Sequence, residues 1–399
     1  MNRDHEETGA LTSLAVYQDG PFRLLEDGRL APDPADAPFF RFVSAVAGHF
    51  DELTVFARVV RAEGADESSA LPVGTRVVEL PDYGSLRRLG GVARSTLGTA
   101  RAFRRGLDGV DVVWAFGPHP FELLLATLAS LRGKRVVLGV RQDTPSYFRA
   151  RLPSPRWKLI LAGIDLMDAF HRLLARRLAA TVVGEGNARR YGNGHVLAIS
   201  PALVPEEALA AQPPERDWSG EIELLTVGRI DSEKNPLLLV DAIAALERRR
   251  PGAFRLRWAG LGPLSDGVRA RAAELGVADR IELLGYLPFP ELLPHYRSAH
   301  AFVHVSFTEG VPQVLNEALA CGLPVVATDV GGVSEALDGG KAGLLVPPAD
   351  REAVVEGVLR IADDEGLRRR LVEHGLAHAR DRTLEAQAAR VARFIAGST

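Results

Sequence analysis

Short runs that are apolar at every position alternate along this chain with longer stretches of helical period, and the alternation breaks once near the middle. Before the break, strand-like runs occupy 14–17, 53–60, 110–116, 136–140 and 181–183. Helical patterns lie between them at 39–50, 86–107, 120–131 and 157–179. A strand without a polar face must be covered on both sides. Helices between such strands supply the cover, so the pattern predicts a parallel sheet. The break, 199–220, holds four prolines and no clean period, and reads as a linker. The alternation then resumes, with strands at 222–227, 256–258, 281–284, 301–305, 325–327 and 344–346. Helices are expected at 236–249, 262–275, 289–297, 314–321 and 351–361. The expectation is two Rossmann-like α/β domains, 1–200 and 201–380, with a terminal helix in 381–399 packing back on the first.

Bulk properties narrow the class. A chain of 399 residues has room for two cores, and 46% hydrophobic with 25% charged residues is ordinary globular composition. No apolar run approaches the roughly 18–20 residues that span a bilayer. The first ten residues, MNRDHEETGA, are acidic where a secretory signal is basic and then apolar. Cys321, the one cysteine, excludes an internal disulfide and a cysteine-rich metal site. A cytoplasmic protein is the expectation. Charge is uneven: residues 71–200 carry about twenty Lys/Arg against about nine Asp/Glu. Arg87, Arg88, Arg94, Arg101, Arg104 and Arg105 share one helical stretch. Such a run is ordinarily a solvated face; the competing reading is an anionic partner, either a membrane surface or a phosphorylated acceptor. Nothing beside it resembles a nucleic-acid-reading motif.

Ligands of open α/β sheets bind beyond the carboxyl ends of strands, so the residues there matter most. The first strand of the second half runs into TVGRIDSEKN, where Gly228 and Arg229 are followed by Lys234 at a helix start. Two cations beside helix N–H groups suit a diphosphate, although surface cations near loops are common. The fourth strand runs into FTEGVPQVLNEALACG. Gly310–Pro312 cannot lie inside a helix, which leaves Glu309 in a loop and Glu317 about one turn into the helix that follows. Glu317 lies among Val314, Leu315, Ala318 and Leu319, and a buried carboxylate needs a partner. The next strand ends in Asp329–Val330–Gly331–Gly332, a turn expected to leave N–H groups open to an anion.

Taken in order, VGR-x4-K, FTEG-x-P-x4-E, ATDVGGVSE and GLLVPPAD resemble glycosyltransferase family 4, retaining enzymes of the GT-B architecture, in which two Rossmann-like domains face a central cleft. The resemblance covers residues 222 to about 380. It implies that Gly228, Arg229 and Lys234 hold the donor pyrophosphate, that Glu317 binds the ribose, and that Gly285 and Tyr286 lie by the nucleobase. It also implies that Glu309 and the Gly310–Val311–Pro312 backbone meet the transferred sugar. A departing nucleoside diphosphate gathers negative charge, which fixed cations stabilise more in the transition state than in the ground state. With Arg229 and Lys234 supplying that charge, no metal or other cofactor is expected.

The first half resembles the family more weakly. His119, in VDVVWAFGPHP, stands where the family often carries a histidine facing the donor sugar. A lone histidine after a strand is otherwise more often structural. In RQDTPSYF, Arg141 and Asp143 are candidates for the acceptor side, with Asp143 equally readable as a helix cap. The Gly-Gly turn usual after the first strand is replaced by VYQDGPFRLLEDGRLAPD, which offers Asp19–Gly20 and an insertion reaching to 38. The implied reaction moves a hexose-type sugar, UDP-linked by first expectation, to a hydroxyl of a glycan, lipid-linked or secondary-metabolite acceptor. The alternatives are a sugar-nucleotide epimerase and a silent nucleotide-sugar-binding subunit.

Overall fold

The computed structural model describes residues 13–33, 36–60, 70–82, 89–141, 143–151, 154–192, 195–200 and 203–397. They form two compact units, Met1–Leu203 with Gln387–Thr399, and Val204–Ala386.

The first unit starts with β1 (Ser13–Leu24), β2 (Leu30–Pro32), α1 (Ala37–Ala47), β3 (Glu52–Val60), β4 (Arg76–Glu79) and α2 (Leu89–Gly106). It continues with β5 (Val112–Gly117), α3 (Pro120–Leu131), β6 (Arg135–Val140), α4 (Thr144–Arg151), α5 (Lys158–Leu174), β7 (Ala179–Val183), α6 (Glu185–Tyr191) and β8 (Val196–Ile199). The strands run parallel in the order β4-β3-β1-β5-β6-β7-β8, and β2 pairs antiparallel with β1. Strand order reverses between β1 and β5, the crevice where open sheets of this kind take ligands. Trp114, Phe56, Phe103 and Leu107 are fully buried, as expected of a sheet with both faces covered.

The insertion expected at 18–38 is largely strand. β1 runs on through Asp19 and Gly20 to Leu24, and β2 returns beside it, with Phe22 facing Pro32. The pairing of β1 with β3 shifts register between Tyr17 and Pro21. Pro21 has no N–H for the ladder, and the irregularity turns Asp19 away from regular pairing. Arg87 and Arg88 lie outside the described residues; Arg101, Arg104 and Arg105 are exposed on α2.

The second unit contains β9 (Ile222–Val227), α7 (Pro236–Arg249), β10 (Phe254–Ala259), α8 (Ser265–Glu274), β11 (Ile281–Gly285), α9 (Phe289–Ser298) and β12 (Ala301–His304). Then come α10 (Gln313–Ala320), β13 (Val325–Thr328), α11 (Val333–Ala336), β14 (Leu344–Val346), α12 (Arg351–Asp363) and α13 (Glu365–Arg380). All its strands are parallel, in the order β11-β10-β9-β12-β13-β14. Here the order reverses between β9 and β12. The proline-rich 199–220 stretch does not hang free: Val204 and Ala208 are buried in this unit's core, and Ala210 N–H donates to Ala320 O. The last helix, α14 (Leu384–Ala396), ends in the first unit. There Arg135 donates from Nε to Ile395 O at 2.7 Å and from Nη2 to Phe394 O at 3.2 Å, occupying carbonyls at the helix end.

Candidate functional site

In the second unit, the strands flanking the reversal carry the charged residues singled out by sequence. β9 passes through Gly228 to Arg229, whose side chain is 70% exposed and pairs with Asp231 Oδ2 at 3.1 Å and Glu233 Oε2 at 3.3 Å. Close packing sets this turn: a Cβ on Gly260 would lie 1.9 Å from Gly228 O, so only glycine admits the β10 end beside the β9 end. Lys234 does not open α7. It sits in a 3-10 turn, Ser232–Lys234, whose N–H groups at Glu233 and Lys234 are taken by Asp231 Oδ1. α7 then starts on Pro236, which has no N–H. Asp231 thus occupies the N–H groups of the turn, and Arg229 and Lys234 are the cationic side chains this loop presents. Gly228, Arg229, Lys234, Trp258 and His304 line one small cavity.

Lys234 Nζ donates to Glu309 Oε1 at 2.5 Å, joining the loop after β9 to the loop after β12. The same oxygen takes the Ser306 hydroxyl at 2.6 Å and His304 Nε2 at 2.7 Å. Burial alone pushes the Glu309 carboxyl pKa up. The His304 hydrogen bond and the charges of His304 and Lys234 outweigh it and hold the group at about 2. Because the folded value lies below the ordinary one of 4.5, the linked stability is present above pH 4.5 and lost as pH falls toward 2. Glu309→Gln is expected to flatten that acid limb in urea unfolding followed from pH 6 to about 2. An unchanged limb would remove Glu309 as its source.

Glu317 is buried on α10, and its partner is the Tyr296 hydroxyl of α9, 2.7 Å from Oε2. Burial and the adjacent carboxylate push Tyr296 far above its ordinary pKa, so the proton stays on the phenol and is donated. Gly310 and Val311 form the loop and Pro312 immediately precedes α10. The Gly331–Gly332 turn is not the open nest expected. Gly332 N–H donates to Gly310 O at 2.8 Å, and Cβ atoms on Gly331 and Gly332 would lie 2.0 Å from Glu309 O and Gly310 O. The glycines hold this turn against the Glu309 loop. Gly285 has φ +77° and accepts from Gly260 N–H at 2.7 Å, while Tyr286 is 75% exposed.

In the first unit, the flanking strands β1 and β5 bring Asp19 and His119 together, with His119 Nε2 3.2 Å from Asp19 Oδ2. His119 also caps α3: Nδ1 accepts from Phe121 N–H at 3.3 Å and lies 3.2 Å from the Tyr17 hydroxyl. An Nδ1 that accepts places the neutral ring's proton on Nε2, facing Asp19. Burial lowers the His119 pKa, Asp19 opposes the shift, and Arg58, itself 3.2 Å from Asp19, reinforces it. Arg141 pairs with Asp36 at 2.7 Å and stacks on Phe39; Gly20 adjoins the same Asp36. Asp143 takes Ser146 N–H and hydroxyl as a cap at the start of α4 and pairs with Arg190. The Arg190 hydrogen bond comes first among the causes holding Asp143 at about 2, a value that makes it a poor base.

Sequence reasoning missed His304, Ser306, Tyr296, Tyr17 and Arg58. His304 and Ser306 had a legible signal, because they alternate at the strand end just before Glu309. Tyr296 is 21 residues from Glu317 and had none. Among the described residues, no three His, Cys, Asp or Glu side chains gather as metal ligands.

The family described as glycosyl transferases group 1 matches residues 211–378. D-inositol 3-phosphate glycosyltransferase of Nocardia farcinica is 37% identical over 272 residues, covering 57% of this chain and 59% of that protein. The Corynebacterium glutamicum enzyme of the same name is 38% identical over 170 residues, 41% of each chain. The chain thus spans about two fifths to three fifths of these relatives' length. Among solved structures, Anabaena HepE in complex with UDP superposes with a TM-score of 0.68 at 16% identity, covering 96% of this chain and 98% of that one. Sucrose-phosphate synthase from Thermosynechococcus elongatus gives 0.64 at 19% identity, covering 95% and 97%. With the parallel sheets of both units, the structural likenesses show that the chain has the GT-B fold, and residues 211–378 match the group 1 glycosyl transferases.

Proposed function

We propose that the chain transfers a hexose-type sugar from a nucleotide-sugar donor, UDP-linked as the first candidate, to an acceptor hydroxyl with retention of anomeric configuration. The observation carrying this reading is the Lys234–Glu309 contact, which joins the loops after β9 and β12 at the reversal of the second sheet. Arg229 and Lys234 supply two positive charges for a diphosphate. Lys234 is then shared between Glu309 and the phosphate oxygens, so charge developing on the leaving group meets a cation already in place. Glu309, held ionised, accepts hydroxyl protons of the sugar, with Gly310, Val311 and Pro312 lining the same loop. Glu317, fixed by Tyr296, accepts from the vicinal ribose hydroxyls. Gly285 and Tyr286 border the base. Within the first unit, the paired Asp19 and His119 are the candidates for contact with a sugar, and Arg141 with Gly20 for the acceptor side.

UDP in the HepE structure and the phosphorylated acceptor in the names of the two bacterial relatives guide the choice of assay. UDP-, GDP- and dTDP-sugars are offered with an acceptor panel that includes D-inositol 3-phosphate, and the product's anomeric configuration is read by NMR. An inverted product would overturn the retaining mechanism. Epimerised donor without transfer would make the chain an epimerase, and donor binding without turnover would make it a silent binding subunit. Because Arg229 and Lys234 carry the charge, the proposed transfer is metal-independent: excess EDTA is expected to leave the initial rate unchanged. A rate restored only by added Mg²⁺ or Mn²⁺ would refute that.

A further inference from the structure

α5 is inside out. A helix on the surface of a domain ordinarily buries an apolar stripe and shows polar residues to water. On α5 the buried residues are Ile164, Asp168 and His171. The solvent face carries Leu159, Leu166, Phe170 and Leu173, which are 88%, 72%, 47% and 50% exposed. Steps of seven, four and three residues put these four side chains on one stripe, and exposed Ala162, Gly163 and Ala169 fill the positions between them. Among the described residues nothing covers this stripe.

The orientation is fixed by the buried polar groups. Asp168 takes the Tyr191 hydroxyl at 2.9 Å and pairs with Arg172 at 3.1 Å. His171 Nε2 lies 3.4 Å from Glu122 Oε1, and both side chains are fully buried. Turning the helix to hide its leucines would carry Asp168 and His171 away from these partners and strand Glu122 in the interior. The apolar face is therefore held toward solvent.

The surroundings of the stripe are basic. Residues 149–177 contain seven Lys/Arg against two Asp. Asp165 pairs with Arg149 at 2.6 Å, and Asp168 is buried. Arg156 and Lys158 at one end of α5, and Arg176 and Arg177 at the other, are exposed. A two-fold contact between copies would set these cations against themselves. An anionic bilayer answers both features, taking the apolar stripe into its interface and the cations among its headgroups. Among the described residues no helix is long and apolar enough to cross a membrane, so α5 would lie in the surface plane.

We infer that α5 docks the first unit onto an anionic phospholipid surface, independently of the transfer reaction. The test is co-sedimentation of the full chain with phosphatidylcholine vesicles and with vesicles that also contain phosphatidylglycerol. Binding is expected to the anionic vesicles, weakening with salt. The L166Q/F170Q variant should bind about tenfold or more weakly, because two apolar contacts are lost. K158Q/R176Q/R177Q should bind more weakly and with a smaller salt dependence. Both alter exposed positions, and unchanged thermal unfolding confirms their fold; Leu159→Gln serves as the second apolar variant should L166Q/F170Q misfold. Wild-type chain that ignores phosphatidylglycerol vesicles at low salt, or apolar variants that bind as well as wild type, would overturn the inference. So would a dimer in sedimentation velocity that the apolar variants dissolve, since a second copy would then cover the face.

Discussion

Lys234→Ala is expected to lower kcat/KM by about 10²–10³-fold, the loss typical when one preorganised charge is removed from a developing anion. Lys234 is only partly exposed and fixed on Glu309, so a bound diphosphate meets a cation that needs little reordering. The fall should lie mostly in kcat if Lys234 acts on the leaving group, and mostly in KM if it only binds donor. Glu309 keeps His304 and Ser306 in the variant, so the fold is expected to survive, and urea unfolding run alongside separates lost chemistry from lost structure. Turnover at the wild-type rate in a folded Lys234→Ala protein would remove the diphosphate assignment.

Gly331→Ala should have the largest effect on the fold, destabilising the chain by about 3 kcal/mol or more and abolishing turnover with it. Its backbone has φ +53°, and the added methyl would lie 2.0 Å from Glu309 O. The loop that positions Glu309 would have to move. Gly339→Ala is the internal control. It also has positive φ, +65°, but its methyl would meet nothing within 4 Å, so it should cost only about 1–2 kcal/mol of backbone strain and leave activity intact. Equal losses at the two positions would show that strain, not collision with the Glu309 loop, decides the outcome.

The central strands were legible because they are apolar throughout, and their alternation with helices required the parallel sheets. β4 and β8 escaped because an edge strand buries little: β4 is mostly exposed and only four residues long. α13 escaped although Leu367, Leu371, Leu376 and Ala379 keep helical spacing, because charged residues crowd its other face. The β1–β2 hairpin read as a loop because Asp19–Gly20–Pro21 is turn chemistry, and only pairing with β3 on the far side of the irregularity keeps it extended. In the site, charges tied to local motifs could be read, as Lys234 and Glu309 show. The groups that hold them could not, because Tyr296 reaches Glu317, and Asp19 reaches His119, only once the sheet order is set.

The return of α14 to the first unit has a consequence for synthesis. Val391 and Ile395 are fully buried, and the Arg135 guanidinium rests on carbonyls of the helix's last turn. A ribosome makes Arg135 long before it makes Ile395, and the whole of the second unit is translated in between. The place on the first unit where α14 lands, marked by Arg135, stays uncovered by that helix until residues 387–397 have been made.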